Sequence, residues 1–197
     1  MAATQSTGGA AAHPTNAANI LGIPLDSIDL PAENPRAEFP DAELDSLAES
    51  IETVGLLEPI IVRPKGKRFE LVAGERRLRA VKLLREKEIT ASVRELDDRE
   101  AAEVRLLENL DRKSLNPVEE GIAFRQLEAL GHSRESLAKL LRMTEATIDG
   151  RLGLLKLPKA WQERVRSSAI SAAAAEYILP FVKYPKVLKA MEPAAET

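Results

Sequence analysis

Residues 59–80 read PIIVRPKGKRFELVAGERRLRA. Two apolar, β-prone runs, Pro59–Pro64 and Phe69–Gly74, flank the turn-like Lys65-Gly66-Lys67, and this pattern predicts a β-hairpin. At Gly74 the apolar period changes from strand to helix. Leu78, Val81, Leu83 and Leu84 then predict a helix that starts at Gly74, buries those four and runs to about Lys87. A strand that gives way to a helix through a glycine is one half of an α/β unit.

The flanks complete that unit. Upstream, Asp41 opens a helix whose face is Leu44, Leu47, Ala48, Ile51 and Val54, and Gly55 ends it. Ile20–Leu30 predicts a short strand broken at Pro24, and PAENPRAEFP (31–40), with three prolines, predicts an ordered loop. Residues 1–19 have no apolar period and read as a disordered tail. Downstream, Ile89–Arg94 is a third strand candidate and Asp97 to Leu110 a third helix. Residues 20–113 therefore form a small α/β domain.

Beyond Arg112 the strand signals stop. Asn116-Pro117-Val118-Glu119 combines an N-cap, a proline at the first helical position and a capping-box glutamate. That helix runs to Gly131, a residue suited to a left-handed C-terminal cap. Ser133–Leu141 and Thr144–Leu155 are two short helices separated by Arg142 and Met143, the spacing of a helix-turn-helix, which plain bundles also show. Alanine-rich helices follow Pro158, with Trp161 as core packing and His132 as a capping or surface residue. The second domain is all-α over 114–192, with a tail at 193–197, and the fold class is α+β.

Composition excludes several chemistries. The 197 residues include no cysteine, so there is no thiolate metal site and no cysteine nucleophile. Two histidines, His13 and His132, argue against a histidine-rich metal centre or a Ser-His hydrolase. No apolar run reaches the ~18 residues of a membrane span, no targeting segment is evident, and the expected compartment is the cytoplasm. The net charge of −3 hides a gradient: residues 1–62 carry ten acids against one base, and residues 63–113 carry fifteen bases against eleven acids. A basic middle behind an acidic front suits an anion site, as well as plain solvated helix faces.

Two segments carry candidate chemistry. Gly74-Glu75-Arg76-Arg77 sits at a helix start, where unpaired N–H groups and paired arginines hold phosphate; it also suits an amphipathic helix with a solvated arginine face. Glu108-Asn109-Leu110-Asp111-Arg112 offers hard oxygen ligands of the kind Mg²⁺ accepts beside phosphates, or a simple exposed Glu-Arg pair.

In order, NPR (34–36), ESIETVGLLEPIIVRP (49–64), GERRLRA (74–80), ENLDR (108–112), LNPVEEGIAF (115–124) and a helix-turn-helix ending LLKLP (154–158) resemble the ParB partition-protein family, including plasmid KorB-type relatives. The resemblance covers about residues 20–180 and implies a CTP-dependent DNA clamp. By it, Gly74, Glu75, Arg76, Arg77 and Arg112 hold the triphosphate, and Gly55, Leu56, Leu57, Glu58 and Pro59 accommodate the nucleoside. Glu108 and Asn109 take Mg²⁺, with Glu108 the hydrolytic position. The helix from Thr144, with Glu145, Thr147 and Arg151, binds a palindromic centromere site on double-stranded DNA. Nucleotide binding pairs two N-terminal domains around DNA, slow CTP hydrolysis releases them, and a ParA-type ATPase is the expected partner, on a nucleoid or plasmid.

The sequence departs from the family at Glu58 and Asp111, where glutamine is usual, and at Arg142, where glycine is usual in the turn. Glu176 stands for a DNA-facing arginine, and the family's C-terminal dimerisation domain is not within the sequence. Two other readings stay open: a helix-turn-helix transcription regulator with an idle nucleotide pocket, and a phosphotransferase or nuclease on the same scaffold.

Overall fold

The computed structural model describes residues 19–31, 41–111 and 115–191. The motif at 34–36, most of the proline-rich loop, Arg112 and both tails lie outside the described residues. The chain divides into two compact units, Met1–Leu96 and Asp97–Thr197.

The first unit is a mixed sheet with two helices. Its elements are β1 (Asn19–Pro24), β2 (Ile28–Asp29), α1 (Asp41–Val54), β3 (Ile60–Lys65), β4 (Arg68–Ala73), α2 (Glu75–Leu83) and β5 (Glu88–Val93). The strands run in the order β1-β5-β3-β4-β2. β3 and β4 are the expected hairpin, antiparallel, with Gly66 at positive φ in the turn. β3 pairs β5 in parallel, and β1 closes the other side of β5 antiparallel. The strand expected over Ile20–Leu30 is two strands, because after Pro24 the chain takes a short 3-10 turn before β2.

The central strand β3 carries Ile60 and Val62, both fully buried, and they pack with Leu71, Leu78 and Val81. Ala80 of α2 is fully buried beside Leu44 and Ala48 of α1, so a small residue sits where the two helices meet. Among the residues expected to be buried on α2, Leu78 and Val81 are, whereas Leu83 is 54% exposed. The helix also stops earlier than its apolar period suggests. Arg85 takes a left-handed conformation, which ends helical hydrogen bonding and turns the chain toward β5.

Arg63 and Glu70 face each other across the hairpin, and both are buried. Arg63 Nε donates to Glu70 Oε2 at 2.7 Å, and Lys65 Nζ reaches the other carboxylate oxygen. Burial pushes the Glu70 carboxyl up, but the hydrogen bonds from Lys65 and Arg63 outweigh it and hold the group below the ordinary glutamate range.

The second unit is helical: α3 (Asp98–Leu110), α4 (Pro117–Ala129), α5 (Arg134–Leu141), α6 (Glu145–Leu154), α7 (Lys159–Arg166), α8 (Ala172–Ile178) and α9 (Pro185–Met191). The capping box at Asn116/Glu119 forms as its residues predict, and Asp97/Glu100 makes a second one at α3. Gly131 has φ +97 after α4, the left-handed cap expected of it. Helix α3 packs through Leu106, Leu107 and Leu110 against Phe124, Leu127, Leu137 and Ile148, and so it groups with the helical unit. A division at 113 by sequence and one at 96 by compactness differ by this helix.

Trp161 is buried in a second apolar cluster with Val118, Leu154 and Ile178, and the Arg164 guanidinium lies over its ring, 5.1 Å from the centroid. His132 joins two helices: its Nε2 lies 3.0 Å from Glu103 Oε1 on α3, and its Nδ1 3.2 Å from Ser136 Oγ on α5.

Candidate functional site

In the first unit, residues 58–59 and the segment at 74–77 meet at the N-terminal end of α2. Gly74 caps the helix at φ 98 and ψ 33, a conformation an L side chain resists. A Cβ there would also lie 2.9 Å from Ile60 Cγ2, so this position needs glycine for both conformation and space. No side chain caps the helix, and the first intrahelical bond is Leu78 N–H to Gly74 O. The N–H groups of Glu75, Arg76 and Arg77 thus precede the hydrogen-bond ladder at the positive end of the helix dipole, which suits an anion.

The arginines do two different jobs around this turn. Arg77 Nη1 donates to Glu58 O at 3.0 Å and to Pro59 O at 2.9 Å, and its Glu58 carboxylate contact is 3.3 Å. It thereby clamps the 58–59 end of the 55–59 segment onto the start of α2. Arg76 extends the other way and pairs with Glu43 of α1 at 2.9 Å, with both groups well exposed. Glu75 turns along the helix to Arg79. Nothing in the sequence marks Glu43 as a partner, since 33 residues separate it from Arg76.

Gly55 and Leu56 line a cavity of about 290 Å³ with Ile51, Val81, Leu84 and Ile89. These residues belong to the C-terminal ends of α1 and α2 and the start of β5, so the cavity lies at the other end of α2 from Gly74. Leu57 is 81% exposed, and the Glu58 side chain is equally open. The segment therefore runs between an apolar hollow and the cationic helix start.

In the second unit, Glu108 is exposed and Asn109 partly buried on the last turn of α3. Among the described residues no group of three or more carboxylates or histidines is arranged to hold a metal by itself. An ion at such a place would take most of its ligands from phosphates and water, as Mg²⁺ commonly does.

The helix-turn-helix is formed by α5 and α6. Arg142 ends α5 in the left-handed region, φ 54 and ψ 40, so the turn takes the conformation glycine would favour without having glycine. Thr144 caps α6 through Thr147 N–H, and the two hydroxyls lie 2.9 Å apart. Glu145 is exposed at the first turn. Arg151 is placed differently from Thr144, Glu145 and Thr147. Its Nε donates to Glu120 Oε2 of α4 at 2.6 Å, and its Nη1 lies 3.5 Å from Glu176 Oε1 of α8. It is 22% exposed and belongs to the side of α6 that packs on the unit. Glu176 is thus a second carboxylate partner of Arg151.

Comparison with known proteins follows the same two-part division. The ParB N-terminal domain model matches residues 9–110, and the ParB HTH domain model matches residues 113–197. The chromosome-partitioning protein Spo0J of Thermus thermophilus is 40% identical over 166 residues, covering 84% of this chain and 62% of that protein. The nucleoid occlusion protein of Bacillus subtilis is 39% identical over 180 residues, covering 90% of this chain and 63% of that protein. The chain thus spans a little under two thirds of the length of these curated relatives. The crystal structure of the C-terminally truncated chromosome-partitioning protein ParB from Caulobacter crescentus, complexed to the centromeric parS site, superposes with a TM-score of 0.71 at 30% identity, over 81% of this chain and 84% of that one. No helix among the described residues is long and apolar enough to cross a membrane. With both domain models matched in order over nearly its whole length, the chain belongs to the ParB family.

Proposed function

We propose that this chain is a CTP-gated DNA-binding protein of the partition type. The observation that carries the reading is the Arg77 clamp, which joins the two segments that the family resemblance assigns to nucleoside and triphosphate. Gly74 and the N–H groups that open α2 would receive phosphate oxygens, and Arg76 and Arg77 would balance their charge. Backbone groups of Gly55–Pro59 would read the base. By the resemblance, Glu108 and Asn109 serve Mg²⁺, and Glu108 orders the water in a slow hydrolysis that resets the switch.

The DNA-binding half of the reading is supported by the α5–α6 geometry and by the Caulobacter relative, whose structure is described as complexed to parS. Two N-terminal domains would pair on nucleotide binding and so join two half-sites of a palindrome. The partner for movement would be a ParA-type ATPase.

Titrating CTP, ATP, GTP and UTP against the protein, with and without Mg²⁺, tests the reading. Selective binding of CTP that strengthens with Mg²⁺ is expected. Glu108→Gln should reduce turnover far more than affinity, because phosphoryl transfer depends on positioning and electrostatics. Equal binding of all four nucleotides, or of none, would replace this reading with a helix-turn-helix regulator on the same scaffold.

A further inference from the structure

Helix α6 presents one polar stripe to solvent. At about 100° per residue, Glu145 and Asp149 lie about 40° apart, and Arg151 lies roughly 120–160° from them; Lys156 stands in the turn just after the helix ends. Glu145, Asp149 and Lys156 are all exposed. Asp149 is tied to Arg134 at the start of α5, and Arg134 Nε lies 3.3 Å from Glu128 Oε1.

Beside this pair opens a cleft of about 450 Å³, lined by Arg134, Asp149, Lys156 and Lys183 with Leu179 and Val182 as apolar wall. Lys156 and Lys183 are exposed, and neither has an ion-pair partner among the described residues. Lys139 and Arg151, by contrast, are both neutralised by carboxylates of their own unit. Arg134 is thus shared between Asp149 and Glu128, and Lys156 and Lys183 are the two cations of the cleft left for an anion.

We propose that this cleft seats the DNA backbone, with Lys156 and Lys183 on phosphates and Asp149, oriented by Arg134, reading a base edge. The inference rests on the DNA-binding reading above and names the contacts within it. A carboxylate only accepts hydrogen bonds, so Asp149 would take the amino group of a cytosine in the major groove. The lysines would act as point charges, indifferent to sequence.

The experiment measures affinity for a DNA selected from a random pool, as a function of salt, using the full chain. Lys156→Ala with Lys183→Ala should weaken binding evenly across sequences and shallow the slope of log affinity against log salt by about two units. Both side chains are exposed, so the thermal midpoint should stay put, and the Lys156→Glu, Lys183→Glu pair should give a larger loss with the same midpoint. Asp149→Asn should keep the slope and shift the preference at one position from cytosine toward adenine by tenfold or more. Wild-type binding with an unchanged slope in both lysine pairs, or an Asp149→Asn variant with unaltered preference, would overturn this assignment and leave the DNA-binding reading standing. A wild-type chain that binds no DNA from the pool would overturn both.

Discussion

Arg151 Nε donates to Glu120 Oε2 at 2.6 Å and so bonds α6 to α4 across 31 positions of sequence. Both side chains are less than a quarter exposed, and Glu176 stands on the far side of the guanidinium. A long base on a recognition helix is the obvious candidate for DNA contact, yet here it secures the helix from behind.

Arg151→Ala should therefore cost about 1–3 kcal/mol of stability, the range for a hydrogen bond between charged groups that are partly buried. Urea denaturation of Arg151→Ala, Glu120→Gln and the double variant forms a cycle that should show coupling. The salt slope of DNA binding should not change. Additive losses would mean that the pair is incidental.

Arg77→Lys retains the charge but not the fork that reaches two carbonyls. Lysine is a point donor on a flexible stem, so the 55–59 segment should loosen. Nucleotide affinity is expected to fall about tenfold or more, with little change in unfolding midpoint, since Leu57 and Glu58 are already exposed. Amide exchange at residues 55–59 reports the loosening directly.

Gly74→Ala tests the helix start. The backbone there has φ +98 and the added Cβ would crowd Ile60, so a loss of roughly 1–3 kcal/mol is expected, along with weaker anion binding. Full stability in denaturant would mean that the turn relaxes at little cost.

The buried hairpin pair gives a pH signature. Glu70 is held below its ordinary value of 4.5, so its stabilising effect is complete above that pH and fades as acid protonates the folded carboxylate. Its side chain is only 5% exposed, and Glu70→Gln, which leaves Arg63 short of its counter-charge, should cost about 3–5 kcal/mol at pH 7. The gap between wild type and variant should narrow steadily below pH 4.5. A gap that stays constant down to pH 3 would show that Glu70 does not titrate with unfolding.

Much of this molecule is legible in its sequence where the signal is local. The hairpin, the helix that ends at Gly55, both helices of the helix-turn-helix and the Asn116 cap are each decided within about ten residues, by apolar period and turn chemistry. The order of strands in the sheet is not local, and neither is the packing of α3 on the helical unit. The site shows the same division. Gly74 is readable as a glycine turn that starts a helix, but the Arg76–Glu43 pair and the Arg77 bond to Pro59 need the fold. Arg151 was the least readable residue, because its partners Glu120 and Glu176 stand 31 and 25 positions away on other helices.

Arg142 offers a gain rather than a loss. It holds a left-handed backbone that costs a side-chain-bearing residue roughly 1–2 kcal/mol. Arg142→Gly should raise stability by about 0.5–1 kcal/mol in urea, the remainder being offset by the greater freedom of glycine in the unfolded chain. A destabilised variant would point to a packing role for the exposed Arg142 side chain.

At Gly121, helix α4 lies so close to α6 that a Cβ would run into the carbonyl of Arg151. The two helices thus meet backbone to backbone at this point, and the exposed Glu145 and Asp149 take no part in that contact. Anchorage and display are separate properties of the same ten-residue helix. On the DNA-binding reading proposed above, a lineage can rewrite the displayed letters one substitution at a time without reopening the question of how the helix is mounted.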